Sequence, residues 1–238
     1  MSFPNTIYGS EGQQFGTETH DAGVPIGTKM VFSSGTSYRW ANIGATLLVV
    51  ARLNQGPAIA APFGTDEAPT VIAAAGATTV TIDATTALAL DDLKGGALID
   101  ETNGHSYVLS GNTAADPTVV TLESPSGLIT DLGVSDLVRF YKSPFKDVVV
   151  KVAGTTSVLA GFTEHIIPAV QWGWVKTRGF TPVLVDGTLI IGDPARASFD
   201  DIGAVAAETG AIGQNAGVVY NIGSDTNVDG DIFATIDN

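Results

Sequence analysis

One stretch constrains this chain more than any other: Gln171-Trp172-Gly173-Trp174-Val175-Lys176-Thr177-Arg178-Gly179, followed by an apolar run from Phe180 to Asp193. The first part alternates, which puts Trp172, Trp174 and Lys176 on one face of a strand and Gly173, Val175 and Thr177 on the other. The second part holds two apolar segments joined at Asp186-Gly187, a dipeptide that tolerates positive φ at both centres of a two-residue hairpin turn. A strand, turn, strand unit with two tryptophans and no titratable partner predicts a β-barrel or β-sandwich that packs or docks.

Composition agrees. Only 15% of residues are charged while 28 are glycine, the balance of an all-β protein with many turns. The 238 residues suffice for one large domain or two small ones. The formal net charge of −14 repels phosphate, so nucleic acid is not an expected partner. The nearest basic cluster, Arg139, Lys142, Lys146 and Lys151, is interleaved with Asp136 and Asp147 and reads as a solvated strand end. There is no cysteine, which removes disulfides and thiolate metal sites. No basic and apolar leader opens the sequence. The most apolar window, Ile43 to Leu53, is too short to span a bilayer. A soluble protein made in the cytoplasm, with no membrane partner, is the expectation.

Along the chain, residues 1–28 show no strand or helix period and read as an extended N-terminal arm, ordered only against a neighbour. Met30–Phe32 and Ser37–Ala41 read as a hairpin with Tyr38 and Trp40 on one face. Thr46–Leu53 is a buried strand or a short helix, which periodicity does not separate at this length. Three prolines make 54–69 a linker. Alternating segments near 79–83, 97–100, 107–110, 119–123 and 137–141 predict a five-stranded module, with a helical turn at Leu88–Lys94 ended by Gly95-Gly96. A strand over 147–152, a short helix in Phe199–Gly213 and closing strands at 217–220 and 232–236 complete the reading. The expected fold is all-β: a barrel or sandwich core from 29–68 plus 146–238, a small β-module inserted at 69–145, and the 1–28 arm.

Catalytic patterns are missing. The three histidines, His20, His105 and His165, are far apart in sequence, so none forms a metal pair within one element. No nucleophile elbow or phosphate loop occurs. The adjacent carboxylates Asp91-Asp92, Asp100-Glu101 and Asp200-Asp201 would point to opposite faces of a strand, and they read as turn residues. No enzyme, cofactor or metal is expected. Asp225-Thr226-Asn227-Val228-Asp229-Gly230-Asp231 matches the front of a calcium loop, making Asp225, Asn227 and Asp229 calcium candidates. Its twelfth position is Ile236 where a bidentate Glu belongs, so a polar turn before a last strand is the simpler reading. Tyr38, Trp40, Trp172 and Trp174 are candidate interface residues. The alternative use of these aromatics is a sugar-binding face, as in a head- or tail-fibre module that recognises host glycans.

Four stretches, in order, give the chain a resemblance. They are Gly27–Ala41 with the apolar run after it; Ala73–Ile82 leading to Gly95–Asp100 and Gly104–Leu109; Val138–Val149; and Trp174–Gly179 with Val185–Thr188. Together they resemble the capsid decoration, or cement, proteins of tailed bacteriophages. The resemblance implies a structural virion protein on the outside of the head. It would be a homotrimer that binds the major capsid protein and bridges neighbouring subunits, with the 1–28 arm ordering on assembly.

Overall fold

In the computed structural model of the chain, described for residues 5–84, 86–154, 157–207, 214–222 and 230–237, alternation becomes strand almost throughout. The described residues hold one 3-10 turn, Gln13–Phe15, and no α-helix. The fold is all-β, as the sequence predicts. The chain divides into two compact units, 1–57 with 144–238, and 58–143. The first begins with β1 (Thr6–Tyr8), β2 (Thr17–Glu18), β3 (Lys29–Val31), β4 (Ser37–Asn42) and β5 (Leu53–Gln55). The second holds β6 (Thr79–Ile82), β7 (Ala97–Asp100), β8 (His105–Asn112), β9 (Thr118–Leu122) and β10 (Val138–Tyr141). The first then resumes with β11 (Val149–Val150), β12 (Leu159–Phe162), β13 (Trp172–Asp186), β14 (Pro194–Ala197), β15 (Ala204–Ala207), β16 (Asn215–Ile222) and β17 (Gly230–Thr235).

The second unit is one sheet in the order β10-β7-β8-β9-β6. Its two outer strands are joined by the segment read as linker: Glu67 bridges Val138 of β10 and Pro69 bridges Ile82 of β6. A sheet edge exposes unpaired N–H and C=O groups, and this strip covers both. Inward residues such as Val80, Ile82, Leu98, Leu109 and Phe140 fill the interior. The predicted helical turn at Leu88–Lys94 is a run of tight turns instead. Asp92, Lys94 and Gly96 donate to the carbonyls three residues back, and Asp91 at φ 57° breaks the right-handed path. Buried Asn112 of β8 satisfies this turn, accepting from the Leu93 N–H at 2.8 Å and donating to the Ala89 carbonyl at 2.9 Å.

In the first unit β13 is the spine. It pairs with β4 along its first half and with β17 and β15 along its second. The circuit β13-β15-β14-β16-β17 returns to β13 and makes a closed five-stranded barrel. Small interior residues, Ala195, Ala216 and Ala234 among Val183, Val205, Val219 and Ile232, suit the narrow bore. The predicted hairpin at Asp186-Gly187 does not form. Gly187 ends β13 at φ 75°, but both edges of the strand are already occupied there, Val183 by Gly230 and Leu184 by Ala204. The returning segment therefore pairs with β15 and β16, starting at Pro194.

Three further expectations are corrected. Thr46–Leu53 forms no helix and becomes strand only at Leu53. Ala51 lies at φ 58°, and Leu48 points inward while Leu47, Val49 and Val50 face out. Phe199 onward is a turn leading into strand β15, and the end of that predicted helix lies outside the described residues. The N-terminal arm does not wait for a neighbour. β1 pairs in parallel with β3, β2 pairs with Trp172 and Gly173, and the Phe15 ring meets His165 edge-on at 5.6 Å.

The C-terminal end is tied down by charge. Asp237 accepts from Arg39 Nε and Nη2 at 3.0 and 2.8 Å, and its Oδ2 lies 3.0 Å from Lys29 Nζ. Burial pushes this carboxyl up, and the hydrogen bonds from Arg39 and Lys29 outweigh it, holding its pKa below the ordinary 3.8. A folded value below the unfolded one means stability that is present at neutral pH and lost as pH falls through the folded value. Asp237→Asn is expected to cost about 1.5–3 kcal/mol at pH 7, the range for hydrogen bonds to charged groups. Thermal melts against pH should show the gap closing below the ordinary carboxylate range. A gap that stays constant down to acid would mean that the carboxylate charge contributes nothing.

Candidate functional site

The even-numbered face of β13 changes character halfway along the strand. Over the first half it is covered. Trp174 lies opposite Trp40 in register with ring centroids 4.8 Å apart, and Trp172 stacks on Trp40 at 6.2 Å. Met30, Phe32 and Tyr38 complete this cluster, with Ile7 and Val24 of the arm packed against it. Of the four aromatics singled out in the sequence, Tyr38 and Trp40 are 3% exposed and Trp174 is 8% exposed, with Trp172 half-buried. The structure brings all four together, but as core. Tyr38, Trp40 and Trp174 offer no ring face to a docking partner or a sugar, while Trp172 keeps part of its surface open.

Over the second half the same face is bare. Phe180 is 55% exposed and lies opposite Phe233 of β17, the rings edge-to-face at 5.2 Å. Tyr220 of β16 is 63% exposed and packs edge-on against Phe180 at 4.7 Å. Val218, in register with Phe233, and Ile222 extend the patch across β16. Exposed apolar groups gathered in this way make the face a candidate contact site. Sequence reading missed it because each residue sits in an ordinary alternating strand. Only the barrel closure β13-β17-β16 makes them neighbours.

Between the two halves lies a buried ion pair. Lys176 is 5% exposed and its ammonium donates to the Glu164 carboxylate and, at 2.8 Å, to the Phe180 carbonyl. Tyr38 donates its hydroxyl to the other Glu164 oxygen at 2.6 Å. Burial and the Glu164 carboxylate push the Tyr38 phenol well above its ordinary pKa, so it stays a neutral donor. The neighbouring His165 is held below its ordinary pKa by burial, against the opposing pull of Glu164.

A cavity of about 140 Å³ opens beside Lys151, Asp186, Arg196, Ser198 and Gln214. Lys151, Ser198 and Gln214 are spent on the fold. Lys151 is buried, which lowers its pKa, and it donates to the carbonyls of Val152, Gly154 and Ser198 at 2.5, 3.0 and 2.5 Å. The Ser198 hydroxyl donates to Asp186 Oδ2 at 2.5 Å and accepts from the N–H groups of Asp200 and Asp201 at 3.1 and 2.9 Å. With its proton and lone pairs so engaged, Ser198 organises a turn. Gln214 likewise donates to the Ser157 carbonyl at 2.7 Å and accepts from the Leu159 N–H at 2.9 Å.

The remaining candidates disperse. Arg139 is bound to Asp66 and Glu101, Lys142 to Asp92, and Lys151 is interior, so three of the four basic residues of that cluster are engaged within the fold. Asp100 accepts from the N–H and side chain of Asn103 and shapes the β7–β8 turn. His105 packs edge-on against Tyr107, and His20 lies beside Thr19. No group of three His, Asp or Glu suited to a metal occurs among the described residues. The calcium candidates Asp225, Asn227 and Asp229 lie outside them. Compared with known proteins, the chain matches no family, no curated protein and no solved structure.

Proposed function

We propose that this chain is a structural virion protein: a capsid decoration, or cement, protein that binds the outer surface of a phage head and links major capsid subunits. The observation that carries the reading is that each unit presents its own bare apolar surface. On the first unit it is the Phe180, Tyr220 and Phe233 face of the barrel. On the second, exposed Val71, Ile72, Ile129 and Val134 flank the bridge between Ala73 and Leu132, so the two loops that carry them are held side by side. Bridging neighbours in a shell requires at least two contact surfaces per molecule. Modest contacts then add through effective concentration once the first is made. The resemblance of the ordered sequence stretches to decoration proteins supports the same reading, and the net charge of −14 disfavours nucleic acid as the partner.

The test is co-sedimentation of purified protein with expanded heads assembled without it. The expected result is saturable binding at a stoichiometry fixed by the icosahedral lattice, weakened by an Ile72→Asp, Ile129→Asp variant. Absence of binding to intact heads would remove decoration as the function and turn attention to tail or fibre assemblies.

A further inference from the structure

The bare face of the barrel carries charge as well as rings, and the charge is arranged in a self-complementary way. On β13 the outward residues run Arg178, Phe180, Pro182; on β17, reading the antiparallel partner, they run Thr235, Phe233, Asp231. The Phe180–Phe233 pair therefore sits midway between a cation on one strand and an anion on the other. Among the described residues, Arg178 is exposed with no ion-pair partner, and Asp231 accepts a 3.3 Å hydrogen bond from Asn221 Nδ2.

We infer that this face is where a second copy of the chain docks, in a two-fold pair with the aromatic rows packed against each other. Place a two-fold axis through the Phe180–Phe233 pair, in the plane of contact and perpendicular to the line from Arg178 to Asp231. Arg178 of each copy then lies over Asp231 of the other, giving two equivalent ion pairs at the margins of an apolar centre. The two rows lie four residues apart along the strand, about 13 Å, which leaves the centre to Phe180, Phe233, Tyr220 and Val218. The rings already contact one another edge-to-face instead of lying coplanar, so they form a close-packed apolar mound and not a flat platform for a sugar ring.

Size sets the strength. Phe180 and Tyr220 each leave roughly 100 Å² open, and the whole patch falls short of the roughly 800 Å² per partner of a standard interface. The pair is accordingly weak and concentration-dependent in solution, and local crowding on an assembled surface would favour it. A pair made through this face joins two copies of the chain and leaves the apolar loops of each second unit to the capsid, and because it is tested on the free protein its failure and that of the decoration reading are distinguishable; its even-numbered assembly differs from the trimer implied by resemblance.

Sedimentation equilibrium across a wide concentration range tests it, with Arg178→Asp, Asp231→Arg and the double exchange. Each single exchange sets like charges over each other twice and is expected to weaken pairing by about tenfold or more, while the double exchange restores it. Circular dichroism melts confirm that each variant folds. A wild-type chain that stays monomeric at millimolar concentration overturns the inference. So does a trimer, or pairing that ignores both single exchanges.

Discussion

Gly161→Ala is expected to lower the melting temperature of the first unit by roughly 6–12 °C, the shift that a loss of about 3 kcal/mol produces in a chain of this size. Two costs combine at this position. Gly161 lies in β12 at φ 145°, backbone that L side chains rarely adopt, worth about 1–3 kcal/mol of strain. An alanine Cβ there would also sit 2.6 Å from the carbonyl oxygen of Lys176 and 3.3 Å from the Cβ of Val175, both on the spine strand. Neither strand can yield cheaply. Phe162 pairs with Lys176 and is fully buried, and Asn54 donates to the Gly161 carbonyl at 3.2 Å. Gly187→Ala separates the two costs, since Gly187 has φ 75° with nothing near its missing Cβ and should lose only about 1 kcal/mol. Equal melting temperatures for the two variants would show that the approach of β12 to β13 is not tight.

Gly161 also illustrates what the sequence makes legible and what it does not. Local alternation found β3 and β4, the five strands of the second unit, and the two faces of Trp172–Lys176, because the period-2 signal is carried by each strand alone. The Asp186-Gly187 dipeptide misled for a non-local reason: a turn becomes a hairpin only if the strand before it has a free edge, and β17 and β15 occupy both. The arm misled in the same way. Thr6–Tyr8 has no pattern of its own, and its pairing is supplied by the exposed edge of β3. Among the aromatics, alternation placed Trp40 and Trp174 on one face but could not say whether that face was covered. Tyr220 and Phe180 lie 40 positions apart in the sequence, and only barrel closure brings them into one surface.

The Lys176–Glu164 pair is the second site where a large effect is expected, and its size depends on which partner is removed. Lys176→Met leaves the Glu164 carboxylate with only the Tyr38 hydroxyl, in a site that shelters most of its surface. Glu164→Gln leaves an ammonium that is almost fully enclosed, with the Phe180 carbonyl as its remaining strong acceptor. Breaking a buried pair from one side costs about 3–5 kcal/mol, because the charge that remains has lost its counter-ion but not its burial. The second variant should be the worse, since Lys176 is the deeper of the two. Combining Lys176→Met with Glu164→Gln removes both charges while the amide oxygen still accepts from Tyr38, and much of the loss should return. Denaturant midpoints for the four proteins of this cycle measure the coupling directly. Additive losses would mean that the two charges are stabilised separately, by Phe180 and Tyr38, and that the pair itself contributes little. Strong coupling would make Lys176 the fixed point from which the Phe180 backbone is held, and with it the placement of the exposed ring at the centre of the barrel's bare face.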